Sequence, residues 1–491
     1  QIDAWTGDLV AGTTPAPIQE QIYKILFKPD KNAPEYRAVV EASKRAKKPP
    51  LDLLRAAGAI DNPYQFHWRR FVFDCFPNGV AHAALAAPLI TETLPIAAVQ
   101  AFSIDDSSTT EIADALSVQG LVSDRVTLGV HIAAPGLALA PGSAIDKVAA
   151  NRLSTVYIPG FKVTMLPDAV VNQYTLKAGS DVPAVSLYVT FDAQTLEILG
   201  SETKLECVPI VANLRHDQLD EQVTEEALGN PDAATFAFAP ELSFAHRLAK
   251  HLKAKREVVR GKPENFNRPD PVYKLAPQSD AAGSESASAR GDGAPLGTER
   301  IEIGFRRRGA PLDLIVAEAM ILANSTWGEW LATLKVPGIY RSQASMAPGI
   351  KVRMGTKPAP HAGMGVSHYT WATSPLRRYV DLVNQWQIIA CVRHGSTAAL
   401  AAPFKPRDAA LLSIVSSFES AYADYAEVQR RLERYWTLRW LQQNQVHELD
   451  AVMAQDGLAR AERVPLVFRV AGANAVPRGT RVRVRIAAID E

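Results

Sequence analysis

Cysteine is scarce: Cys75, Cys207 and Cys391 are the only three in 491 residues, they lie far apart, and none forms a CxxC pair. That excludes a disulfide framework and a thiolate zinc site, and it predicts a reducing compartment, the cytoplasm. An excess of one charge is equally absent, because 53 Lys and Arg face 52 Asp and Glu and leave a formal net charge of +1. A polyanionic partner would have to be met by local patches rather than by a global basic field. No clean apolar run of bilayer length occurs either: the most apolar early stretch, Val80 to Val99, is broken by Pro88, Glu92 and Pro95, so no membrane span is expected. Nothing at the start reads as a secretory leader. With 47% hydrophobic residues the chain is globular, and its length predicts roughly two to four domains.

What stands out is an acidic loop. Ser103-Ile-Asp-Asp-Ser-Ser-Thr-Thr-Glu-Ile-Ala-Asp114 crowds Asp105, Asp106, Glu111 and Asp114 between apolar segments, with alanine at position 113. Carboxylates this close repel one another unless a cation or basic group sits among them. A hard divalent ion such as Mg²⁺, held by a few carboxylates plus substrate phosphates, would relieve that repulsion. A solvated acidic turn is the alternative reading of the cluster taken alone.

Along the chain, residues 17 to 60 read as short helices and Phe66-His-Trp-Arg-Arg-Phe-Val-Phe73 as a strand, which together suggest a winged helix-turn-helix over residues 1–80. Ser43-Lys-Arg-Ala-Lys-Lys48 could contact phosphates or be a solvated helix end. Residues 276–298 are rich in Ser, Ala and Gly and poor in large apolar residues, and read as a flexible insertion. Leu411 to Gln443 reads as exposed helix. From residue 444 onward, Val464-Pro-Leu-Val-Phe-Arg-Val470 and Thr480-Arg-Val-Arg-Val-Arg-Ile486 alternate with period two and predict a small β domain. Arg481, Arg483 and Arg485 would share one face of it. An OB-type barrel binding single-stranded nucleic acid fits that pattern, and so does an edge-strand charge ladder that prevents aggregation.

A second informative run is Tyr369-Thr-Trp-Ala-Thr-Ser-Pro-Leu-Arg-Arg-Tyr-Val-Asp-Leu382. It predicts a helix N-terminus at Ser374 with Pro375 as the first helical residue. Arg377 and Arg378 in a first turn would oppose the helix dipole, so an anionic partner is expected there. For Arg378, pairing with Asp381 is the alternative.

Four segments occur in the order found in the ribonuclease II (RNB) exoribonucleases: the acidic loop, Val156-Tyr-Ile-Pro-Gly-Phe-Lys-Val-Thr-Met-Leu-Pro167, Val316-Ala-Glu-Ala-Met-Ile-Leu-Ala-Asn324, and the Thr-Ser-Pro-Leu-Arg-Arg-Tyr run. Residues 95 to 440 resemble that family, in the variant whose amino-terminal cold-shock barrels are replaced by a helix-turn-helix. The resemblance implies Mg²⁺-dependent hydrolysis of single-stranded RNA from the 3′ end to nucleoside 5′-monophosphates, by a cytoplasmic monomer. It implies that Asp105, Glu111 and Asp114 hold metal. Tyr157 and Phe266 would stack the terminal bases, each stack being worth about 1 to 3 kcal/mol. Glu318 would accept a ribose hydroxyl, Arg377 would contact the scissile phosphate, and Arg378 and Arg483 would add RNA contacts.

At position 113 the family carries another aspartate, so Ala113 removes a charge and a ligand from the catalytic set. The intact surroundings lead us to expect an engineered Asp→Ala replacement in an otherwise active enzyme. A natural RNA-binding pseudoenzyme is the alternative, and a DNA-binding regulator the more distant one. The expected architecture is α+β and multidomain: a winged helix at 1–80, an RNB catalytic domain at 81–443 with the insertion 276–298, and an OB-fold barrel at 444–491.

Overall fold

The computed structural model describes residues 1–265, 269–276 and 293–490. Its first unit is helical throughout. Ile2–Val10, Ala16–Gln19, Ile22–Phe27, Pro34–Ala46 and Pro50–Ala56 pack around Leu9, Ile18, Val39 and Leu54. Proline at the first position starts the last two of these helices, where its missing N–H costs nothing.

The segment expected as a wing strand is helix Pro63–Cys75. Asn62 caps it, its side chain accepting the Gln65 amide at 2.9 Å, and Tyr64, Trp68 and Phe71 recur on one buried face at helical spacing. Residues 1–76 contain no strand, so this helical unit has no wing. That aromatic face packs on the long helix Ala409–Gln443, with Tyr64 5.5 Å from Tyr435 and 5.4 Å from Trp436 between ring centroids. Such pairs contribute about 0.5–1.5 kcal/mol each beyond area burial.

The central body is built on a closed five-stranded barrel. Ala101–Asp105, Asp114–Gln119, Arg125–Ala133, Ser180–Asp192 and Ile198–Arg215 follow one another antiparallel, and the first closes against the last in parallel, Asp105 beside Arg215. Val126, Leu128, Val130 and Ile132 join one apolar core with Leu312, Ile315 and Trp327 of helix Pro311–Thr333 and with Ile388 and Ile389 of helix Tyr379–His394. Within the barrel, buried His131 bridges Ser117 and Ser186, 2.8 Å from each hydroxyl, so both ring nitrogens are satisfied.

Strands Asp270–Ala276 and Arg300–Arg306 pair as a hairpin. Of the expected insertion, 277–292 lie outside the described residues. The flank at 293–298 is anchored: Gln65 donates to Pro295 O and Leu296 O, and Tyr435 to Gly297 O. The last unit is an antiparallel sheet of Glu448–Met453, Leu458–Ala461, Val467–Arg469 and Arg481–Arg485. It is an open four-stranded sheet among the described residues, where a closed OB-type barrel was expected. Arg481–Arg485 is one of its edges, and Arg483 pairs there with Glu448 at 2.8 Å while Arg481 pairs with Glu462 at 2.8 Å. No helix among the described residues is long and apolar enough to cross a membrane.

Candidate active site

The barrel explains why the acidic loop converges. Asp105 ends one strand and Asp114 begins the next, so the loop between them delivers both carboxylates to one end of the barrel. They open into a cleft of about 1420 Å³ whose wall also holds Ala113, Tyr157 and Arg377. Asp114 is pushed up to about 7 by burial and then by the Asp105 charge, with Arg377 pulling the other way. Burial also raises Asp105, whose Oδ2 is buried with no hydrogen-bond partner among the described residues. A buried carboxylate oxygen left open beside a second desolvated carboxylate is a donor set that fits a hard divalent cation.

Glu111 takes a different part. It is buried, and its Oε2 accepts Lys162 Nζ at 3.0 Å and the Tyr157 hydroxyl at 3.2 Å, while Oε1 accepts Thr155 Oγ1 at 3.4 Å. Tyr157 and Lys162 face each other across the hairpin Val156–Ile158/Phe161–Val163. Its turn uses Gly160 at φ 75°, where an added Cβ would lie 2.3 Å from Leu275 Cδ1, so only glycine fits. Tyr157 remains 38% exposed and lines the cleft.

Arg377 precedes the helix instead of opening it. The helix starts at Tyr379, not Pro375, because extended Arg378 is its N-cap and Asp381 Oδ1 accepts the Ser374 amide at 2.9 Å. The Arg377 carbonyl is fixed by the Thr155 amide at 2.9 Å and by Ser154 Oγ at 3.2 Å. Its guanidinium makes no ion pair among the described residues. Arg378 is spent otherwise: it is 8% exposed, grips Asp381 with two bonds of 2.8 Å, and stacks 4.0 Å from the Trp371 ring centroid. The pairing alternative therefore holds for Arg378, which commits its Nε and Nη2 to Asp381.

Glu318 is not brought to the cleft. It is 2% exposed and held by Arg256, whose Nε lies 3.0 Å from Oε2. Phe266 lies outside the described residues. Two residues that the sequence did not single out shape the cleft: Lys162 lines it, and Arg152 braces its wall. Lys162 was readable, because a Pro-Gly turn sets positions 157 and 162 opposite each other. Arg152 was not: its guanidinium holds Thr164 O at 2.9 Å, Val80 O at 2.8 Å and Ala81 O at 3.1 Å. It thereby presses the connector Val80–Leu85 into the cleft wall.

A sequence model of the RNB domain matches residues 95–349 and 344–394. This chain belongs to the RNB family. An uncharacterised ribonuclease of Synechocystis is 25% identical over 397 residues, 75% of this chain and 53% of its own length. Exoribonuclease 2 of Cronobacter sakazakii is 25% identical over 375 residues, 69% of this chain and 55% of its own. The chain thus spans about half the length of the curated relatives it matches. In fold, RNase R of Mycoplasma genitalium, solved with ribose-methylated single-stranded RNA, aligns with a TM-score of 0.65 at 16% identity, over 88% of this chain and 77% of that one. The RNB match covers all five barrel strands and both helices that carry Glu318 and Asp381.

Proposed function

We propose that this RNB protein is a 3′→5′ exoribonuclease that hydrolyses single-stranded RNA stepwise to nucleoside 5′-monophosphates, with cleavage slowed by Ala113. The observation that carries the reading is the meeting, in one cleft, of two desolvated carboxylates, a guanidinium with no ion pair among the described residues and a partly exposed tyrosine. Asp105 and Asp114 would hold Mg²⁺, which when bound supplies an activated water and neutralises charge on the scissile phosphate. Arg377, fixed through its backbone, offers its N–H groups to the phosphate oxygens and stabilises the charge that develops there. Tyr157 stacks a terminal base whatever its identity, with Phe266 proposed on the other side. Arg483 on the carboxy-terminal sheet would add a phosphate contact, since an exposed ion pair costs little to exchange. Residues 1–80, 81–443 and 444–491 are the proposed units, acting in a cytoplasmic monomer. The carboxy-terminal sheet is read as OB-type.

The second reading is an RNA-holding pseudoenzyme, and the Lys162–Glu111 pair favours it, because a resident ammonium already neutralises part of the acidic site. Ala113 is read as a single Asp→Ala replacement rather than as natural loss. The deciding experiment is a time course on 5′-labelled single-stranded RNA with Mg²⁺, comparing the chain as it stands with Ala113→Asp. A ladder of shortening labelled strands with nucleoside 5′-monophosphate product from Ala113→Asp supports the exoribonuclease; tight RNA binding without any product in either protein refutes it.

A further inference from the structure

We infer that Asp106, His216 and Asp217 form a second divalent-cation site, of mixed nitrogen and oxygen donors, that fastens the acidic loop to the end of the barrel's last strand. One ring nitrogen and one carboxylate oxygen from each aspartate lie within 4.8 Å of one another. It is the one such trio of His, Cys, Asp and Glu donors among the described residues. His216 begins a short helix, His216–Leu219, directly after strand Ile198–Arg215.

The observation pointing to a ligand is the histidine itself. His216 is only 6% exposed, and its Nδ1 is buried with no hydrogen-bond partner among the described residues, a costly state that a coordinated ion would relieve. Each carboxylate meanwhile commits only one oxygen to the protein. Asp106 Oδ1 accepts the Ser108 amide at 2.9 Å and its hydroxyl at 2.5 Å, and Asp217 Oδ1 accepts the amide and hydroxyl of Ser107, both at 2.9 Å. Neither Oδ2 makes a hydrogen bond among the described residues. Such outer contacts orient carboxylates as they do around bound metals.

The local charge agrees. Asp220, whose Oδ1 is buried with no hydrogen-bond partner among the described residues, adds a third carboxylate near His216; of the nearby cations, Arg306 is paired with Asp313 and Arg215 Nη1 donates to the backbone carbonyls of Asp106 and Thr109. Burial and Arg306 hold His216 below its ordinary pKa, which keeps the imidazole neutral with a lone pair to give. Anchoring of the loop by Asp217 alone would explain the serine bonds but not the unpartnered nitrogen. An imidazole with two carboxylates suits Mn²⁺, Co²⁺ or Zn²⁺ better than Mg²⁺. The ion would join residues far apart in sequence, beside Asp105, and it does not depend on whether RNA is cut.

The test uses Mn²⁺ on the metal-stripped full chain, read by electron spin-echo modulation and by titration calorimetry. The Asp105–Asp114 pair offers only oxygen, so ¹⁴N modulation reports the mixed site alone. The expected result is ¹⁴N modulation in the parent and in Asp114→Asn, loss of it in His216→Gln, and one fewer Mn²⁺ bound by His216→Gln. Asp217→Asn should keep the nitrogen signal but bind that Mn²⁺ at least ~10-fold more weakly, and it carries the test if His216→Gln does not fold. No ¹⁴N modulation in the parent, modulation that survives His216→Gln, or unchanged affinity in Asp217→Asn overturns the proposal.

Discussion

Lys162 Nζ lies 3.0 Å from Glu111 Oε2, so the acidic site carries a protein-borne cation of its own. Glu111 is nearly dry while Lys162 is a third exposed, with side-chain exposures of 3% and 33%. The carboxylate therefore depends on the pair more than the ammonium does.

Lys162→Met should leave Glu111 without a charged partner and make it a ready ligand. The metal-stripped variant is expected to unfold at lower urea than the parent, and Mn²⁺ should restore the difference. Equal Mn²⁺ affinity in the two proteins by calorimetry would show that Lys162 does not compete with metal.

Restoring a carboxylate at position 113 adds a charge and an oxygen to the cleft wall. Ala113→Asp should raise kcat for monophosphate release by about 10²–10³, the usual worth of one preorganised electrostatic group, with little change in RNA affinity. A rise in affinity without a rise in kcat would place position 113 outside the chemistry.

The two neighbouring arginines should separate cleanly. Arg378→Ala strands the fully buried Asp381 carboxylate and is expected to cost about 3–5 kcal/mol in urea unfolding. Arg377→Ala should stay within about 0.5 kcal/mol of the parent, as for substitutions of a side chain that makes no ion pair among the described residues, yet abolish the cleavage regained by Ala113→Asp. Similar stability losses from both would refute the division of labour.

Stability should respond to pH through Asp114. Its folded pKa, near 7, exceeds the ordinary 3.8, so the folded chain holds this proton more tightly than the unfolded chain. The stabilising contribution is complete below about pH 4 and is lost as pH rises through 7. Metal-stripped Asp114→Asn should therefore gain stability relative to the parent between pH 4 and 8, measured by urea unfolding at several pH values. A constant difference across that range would mean that Asp114 titrates normally.

Much of this was readable from local pattern. The acidic loop, the Tyr-Ile-Pro-Gly turn and the Ser-Pro-Leu-Arg-Arg run all lie on one cleft, because short strands and tight turns keep near neighbours together. Phe66–Phe73 misled because aromatic and β-branched residues favour strands, although Asn62, Pro63 and the spacing of Tyr64, Trp68 and Phe71 already spelled a capped helix. The Glu318–Arg256 pair was unreadable for another reason: Arg256 belongs to a different helix, and no spacing rule pairs residues that only the tertiary fold brings together. The Asp106–His216 neighbourhood was hidden in the same way, by the parallel closure of the barrel.

The Arg152 clasp bears on how this protein can be rebuilt. Because the connector Val80–Leu85 is part of the cleft wall, a chimera joined at residue 80 would exchange masonry of the reaction chamber along with the helical module. Grafts that keep residues through Leu85, and the aromatic face of Pro63–Cys75, would preserve the chamber while changing what is attached to it.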